Sequence, residues 1–219
     1  MEKNPGILKE FKILLEKHGH QGWWPVTHEG ERPTYHPKKY TFPRTEEQKW
    51  EICMGAILTQ NTNWKNAEKA LLNLKEAGIH LPWQVNELKT EKLAGLVRSS
   101  GYYNQKALKL KELAKLAESF GGLKIFLKNV SREELLKTKG IGPETADSIL
   151  LYAGKRPFFV VDAYTKRLFG GRLFPESAGY EEIRETFEKG LPRDYRIYNE
   201  FHALIVREGK KYNSRNLNK

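Results

Sequence analysis

A chain of 219 residues is long enough to bury one large core or two smaller ones, and its single cysteine, Cys53, leaves no disulfide framework and no cysteine metal cluster. No stretch reaches the roughly 18 to 20 apolar residues of a membrane span, and residues 1–20 carry charges throughout with no leader-like apolar run, so an unexported, cytoplasmic protein is expected. Lys and Arg number 38 against 27 Asp and Glu, a formal charge of +11 that favours a polyanion partner, because each cation that neutralises a phosphate releases a counterion.

A heat-adapted surface rich in Lys and Glu would account for many of these charges, but not for their one-sided excess. Along the chain, apolar residues recur at helical spacing first in ILKEFKILLEKHG (7–19). Residues 21–45, QGWWPVTHEGERPTYHPKKYTFPRT, hold four prolines and several aromatics without periodicity, and read as an ordered loop. Helical spacing resumes at 47–60, 66–78, 85–101, 102–122, 131–140, 143–155, 163–171 and 180–191. Gly78, Gly101, Gly121 and Gly140 stand at helix stops, and Ser131 with Glu134 reads as a capping box. With no β alternation, repeat or low-complexity tract, the expected class is all-α.

Two stretches carry chemistry. In LLKTKGIGPETADSIL, Gly140 and Gly142 permit positive φ and close backbone approach, and Pro143 suits the first turn of the next helix. Such a hairpin turns backbone N–H groups and a helix N-terminus outward, a site for an anion, with Lys137, Lys139 and Thr145 alongside; phosphate is the expected occupant. About twenty residues on, the apolar run FFVV delivers Asp162 just ahead of a helical pattern. As an N-cap the carboxylate would receive backbone hydrogen bonds and stay ionised even when half-buried, which suits it to stabilise an oxocarbenium-like sugar. The bland alternative is a cap and nothing more.

The ordered set ILTQNT, SGYYNQKA, KGIGPETADSIL and VVDAYTKRLF resembles the helix-hairpin-helix DNA glycosylases of the endonuclease III superfamily over roughly residues 46 to 212. That resemblance implies two helical domains with a DNA-binding cleft between them: 46–156 as a six-helix barrel with the hairpin, and 1–45 plus 157–219 as the second domain. It implies that Asp162 is required for base excision and that Gln60 wedges into the gap left by a flipped-out nucleotide. It places the phosphate contacts at Lys139, Gly140, Gly142 and Thr145, with a monovalent cation as a further occupant of the hairpin. The implied partner is double-stranded DNA containing damaged bases, bound by a monomer in the cytoplasm at the nucleoid, with no membrane involved.

Two departures sharpen the reading. Bifunctional members carry a lysine nucleophile two residues after the second hairpin glycine, where Glu144 stands here, so excision without strand cleavage is expected. HALIVREGKKYNSRNLNK looks like the approach to a four-cysteine iron–sulfur loop, yet Asn213 stands where a first cysteine belongs; no cluster, and no metal, is expected. The six histidines, without metal-ligand spacing, are expected at the surface or in loops. QGWWP and KWEICMGAILTQNT look most like the 3-methyladenine DNA glycosylase III branch, which makes Trp23, Trp24 and Trp50 candidates to line a pocket for a cationic alkylated purine. The longer 26–45 segment would reshape that pocket. The alternatives are a bifunctional endonuclease III-like glycosylase/AP lyase acting on oxidised pyrimidines, and a non-catalytic helix-hairpin-helix DNA-binding protein.

Overall fold

The computed structural model describes residues 5–28 and 32–216. Among them are twelve α-helices and one two-stranded antiparallel ladder, in which β1 (Val26–Thr27) pairs with β2 (Pro33–Thr34). The class is all-α, as the periodicity indicates. A two-residue ladder is too short to leave an alternating pattern, which is why the sequence reads there only as a loop.

The chain divides into two compact units: residues 24–34 with 41–154, and residues 1–23, 35–40 and 155–219. Residues 24–34 and 41–45, which the sequence reading groups with the N-terminal segment, thus belong to the larger unit. Their attachments explain this. The Trp24 ring lies against Tyr152 and Trp64, with centroids 5.2 and 6.0 Å apart. The Thr27 N–H donates to Glu51 Oε2 at 3.1 Å, and the Thr27 carbonyl accepts from Gln48 Nε2 at 2.9 Å.

In the larger unit the organising element is α2 (Glu46–Leu58), started by a Thr45 capping box with Gln48. Every residue from Ile52 to Leu58 is buried, so this helix is apolar all round and runs through the core. Packed against it are α3 (Trp64–Glu76), α6 (Tyr103–Ser119), α7 (Leu123–Asn129), α9 (Pro143–Ser148) and a π-helical turn, Ile149–Ala153, that continues α9. The expected helix over 85–101 is instead α4 (Pro82–Glu87) and α5 (Thr90–Leu96), because Leu88 and Lys89 are extended between them. Lys111 holds that break by donating to the carbonyls of Asn86 and Leu88. Then α8 (Arg132–Lys137), with its Ser131–Glu134 capping box, leads into the hairpin.

In the smaller unit, α1 (Pro5–His18) packs on α11 (Tyr180–Gly190) and α12 (Tyr195–Asn216), and α12 also packs on α10 (Ala163–Phe169). The core is aromatic: Phe159 stacks on Phe187 at 4.4 Å, and Phe201 meets Phe159, Phe169 and Phe187 at 5.6 to 6.1 Å. Such ring pairs add about 0.5–1.5 kcal/mol each beyond the area they bury. The buried carboxylate of Glu200 accepts from the Gln21 N–H at 2.6 Å and Tyr40 Oη at 2.7 Å, fixing two loop segments to α12.

Candidate functional site

Asp162 closes the apolar run Phe159–Val161, whose three side chains are buried, and caps α10. Its Oδ1 accepts from the Thr165 N–H at 2.8 Å and from Thr165 Oγ1 at 3.0 Å, while its own N–H donates to Thr165 Oγ1 at 3.3 Å. Oδ2 is left facing Nε2 of His202 on α12, 3.4 Å away, an ion-pair separation when the imidazole is charged. Burial by itself would raise the carboxyl, but the His202 interaction and the Thr165 bonds outweigh it and hold it below the ordinary carboxylate value. The Lys210 ammonium stands 5.7 Å from the Trp23 ring centroid. Its pKa is lowered, by burial first and by Arg207 second, against the opposing charge of Asp162.

His202 is the residue sequence reasoning missed. With five per cent of its surface exposed, it is a buried partner of a carboxylate and not a loop histidine. The expected surface placement also fails for His18, whose Nε2 meets Glu208 Oε2 at 2.5 Å. The available signal for His202 was its position: Tyr198, Phe201, His202 and Ile205 share the inward stripe of α12.

The hairpin occupies the turn between α8 and α9. Gly140 has φ +87°, the left-handed conformation expected of it. Gly142 does not: at φ −91° and ψ 177° it is an extended N-cap that any residue could adopt, and a Cβ there would meet no atom within 4 Å. Pro143 takes the first position of α9, where its missing N–H costs nothing. Beneath the turn, Arg132 of α8 forks onto Asp147 of α9, with Nε to Oδ1 at 2.6 Å and Nη2 to Oδ2 at 3.1 Å, in a wholly buried setting for the carboxylate. This pair clamps the two arms together. Lys139 and Glu144 are exposed at the tip, whereas Thr145 is buried.

Gln60 joins this hairpin. It follows Thr59, the C-cap of α2, and precedes Asn61 in a left-handed conformation at φ +52°. Its Nε2 donates to Thr145 Oγ1 at 2.9 Å and to the Gly140 carbonyl at 3.3 Å. Below it, Lys106 Nζ donates to the carbonyls of Leu58 at 2.8 Å and Ser100 at 2.6 Å, closing the end of α2. Burial and then Lys109 bring the Lys106 pKa down to about 8. Gln60, Gly140 and Thr145 are therefore one cluster.

The tryptophans separate. Trp50 exposes no surface, and Trp24 exposes nine per cent beneath Gly55, where a Cβ would lie 3.3 Å from the Trp24 ring. Both pack as core residues of the larger unit. Trp23, in the smaller unit, is half-buried against Tyr35 at 5.7 Å.

A family model for the HhH-GPD superfamily base excision DNA repair protein matches residues 54–193, a span that holds the Gln60 turn, the hairpin and Asp162. The chain belongs to that superfamily. A Methanocaldococcus jannaschii protein described as a candidate DNA repair glycosylase is 44% identical over 213 residues, covering 94% of this chain and 88% of its own. Thermotoga maritima endonuclease III is 31% identical over 173 residues, 78% of each chain. The crystal structure of Helicobacter pylori 3-methyladenine DNA glycosylase bound to 1,N6-ethenoadenine superposes with a TM-score of 0.75 at 33% identity, covering 96% of this chain and 99% of that one. As a member of the HhH-GPD family, the protein is a DNA repair glycosylase. Among the described residues no helix is long and apolar enough to cross a membrane, and no group of three His, Cys, Asp or Glu side chains is arranged to hold a metal ion.

Proposed function

We propose that this glycosylase is monofunctional and removes an alkylated purine, such as 3-methyladenine, by hydrolysis. Two observations carry the reading: Asp162 is a carboxylate held ionised by its cap and His202, and Glu144 is a carboxylate at the sequence position where a lyase would need an amine. As the N-glycosidic bond lengthens, positive charge grows on the sugar, and the Oδ2 edge of Asp162 stabilises it or orients water toward it. Oδ1 stays occupied by Thr165 throughout, so the carboxylate need not reorganise. An N-alkylated adenine is already cationic, leaves without strong protonation, and gains about 0.5–2 kcal/mol when held over an electron-rich ring face. Of Trp23, Trp24 and Trp50, Trp23 is the one that is not buried. The resemblance to the Helicobacter enzyme supports this substrate class.

The hairpin tip, with Lys139, Gly140, Gly142 and Thr145, holds DNA phosphate in this reading, and Gln60 fills the space of the extruded nucleotide. A monovalent cation at the hairpin would draw on backbone oxygens, of which those of Thr138 and Gly140 already accept from the Ile141 N–H and Gln60. One lone pair of each is left for such an ion. An iron–sulfur cluster does not fit, since its four thiolates cannot come from one wholly buried cysteine. The protein acts as a monomer on double-stranded DNA in the cytoplasm.

The test is a panel of duplexes each carrying one defined lesion, with products separated before and after alkali. Release of an alkylated purine that leaves the strand intact until alkali is added is the expected result. Strand cleavage without alkali, or a borohydride-trapped covalent complex, would overturn the monofunctional assignment, and Lys210 would be the first amine to replace.

A further inference from the structure

Gln60 is the proposed wedge, yet three of the four hydrogen-bonding positions of its side-chain amide are already taken by protein. Its carbonyl oxygen accepts from Lys109 Nζ at 2.6 Å, and its NH2 group donates to Thr145 Oγ1 and the Gly140 carbonyl. Three separate parts of the larger unit meet on this one amide: α6 through Lys109, α9 through Thr145, and the hairpin turn through Gly140. The Lys109 stem is itself held in place. It crosses the face of Gly140 so closely that a Cβ there would lie 2.4 Å from its Cγ and 2.7 Å from its Cδ and Cε. Only glycine admits that crossing, so the left-handed turn also serves to let the lysine reach Gln60.

We infer that Lys109 is a positioning residue for Gln60, setting its amide against the hairpin so that phosphate grip and wedge meet the duplex as one preformed tip. Left free, a glutamine side chain loses rotamer entropy on entering the base stack, and that cost weakens insertion. A charge-assisted bond at the Lys109 distance is among the stronger side-chain contacts and offsets that cost before DNA arrives. The ammonium also polarises the amide and strengthens its donation to Thr145. The buried Thr145 hydroxyl accepts from Gln60 and keeps its own hydrogen to donate in turn. The bonds from Lys109 through Gln60 thereby reach Thr145 at the start of α9 and the exposed Gly140 of the hairpin.

This inference rests on Gln60 being the wedge, and a double-mutant cycle keeps the two ideas apart. The probe is a duplex with one tetrahydrofuran abasic analogue opposite 2-aminopurine, compared with the intact duplex; it offers a vacancy to fill whatever the natural lesion is. Lys109→Met keeps the alkyl stem over Gly140 and removes the charge, while Lys109→Arg keeps a donor. Lys109→Met is expected to lower the preference for the gapped duplex by about tenfold and to quench the 2-aminopurine response, with Lys109→Arg recovering most of both. In a Gln60→Ala background the same Lys109→Met change should cost less than about twofold.

An equal loss with and without Gln60, accompanied by a shallower salt dependence, would make Lys109 an independent phosphate contact and overturn its positioning role alone. Should Gln60→Ala by itself leave the preference for the gapped duplex unchanged, the wedge assignment falls and the Lys109 role falls with it.

Discussion

Asp162 takes its two bonds from Thr165, three residues along the chain, whereas Gln60 takes its bonds from Lys109, Gly140 and Thr145, 49, 80 and 85 residues away. The first arrangement forms as soon as α10 starts, because an N-cap is local chemistry. The second exists only when α2, α6 and the hairpin have packed. A charge that must be in place for bond cleavage thus takes its hydrogen bonds from its own helix, with His202 of α12 beside it. A group that meets the DNA is held by tertiary structure, where loosening one element changes it without touching the carboxylate.

The largest effects should come from breaking each hold at its base. On the tertiary side, Arg132→Met leaves the Asp147 carboxylate buried without its bidentate partner, at a cost of about 3–5 kcal/mol in denaturant unfolding. Replacing both residues by apolar ones should recover most of that loss, which distinguishes an uncompensated charge from lost packing. On the local side, Asp162→Asn should lower single-turnover excision by about 100- to 1000-fold. The melting temperature should hardly move, since asparagine caps helices as well. Full excision by this variant would remove Asp162 from the chemistry.

Lys106 gives a smaller, more informative effect. Lys106→Met strips the carbonyls of Leu58 and Ser100 of their donor and should cost about 1–3 kcal/mol. The wild-type lysine also titrates usefully. Its folded pKa is about 8 against an ordinary 10.5, so between those values the unfolded chain binds a proton that the folded chain does not. Stability from this group therefore rises as pH climbs through that window, and the neutral amine still has two hydrogens for its two carbonyls. Urea titrations across pH 8 to 10.5 should show the rise in wild type and lose it in Lys106→Met.

The same contrast explains which parts of the molecule are legible in the sequence. Asp162, the Ser131 capping box and the glycine stops are patterns within four residues, and each stands where its pattern indicates. Gly142 misleads because a glycine letter does not disclose its dihedral angles, and here it is merely extended. The tryptophan pair of QGWWP reads as one feature, yet Trp24 fills the space left by Gly55 while Trp23 packs at a tilt beside Tyr35 in the other unit. Neighbours in sequence cannot report such a parting. Lys109 looks like any other lysine on α6, and only the hairpin arriving from thirty residues further on gives it a role.

His202 tests whether Asp162 is as local as its cap suggests. Its carboxyl is held below the ordinary value of 3.8, so the stability and activity that depend on its charge are complete above that value and fade only as pH falls through the lower folded one. Burial alone would push the carboxyl the other way, and His202 and Thr165 together reverse it. In His202→Leu the burial remains while one of the two opposing influences is gone, so the acid limb of the pH–rate profile should move to higher pH. The plateau near neutrality should change little, because Asp162 is ionised there in either protein. An acid limb that stays put would mean that Thr165 alone suffices, and that the carboxylate is held entirely by the first turn of its own helix.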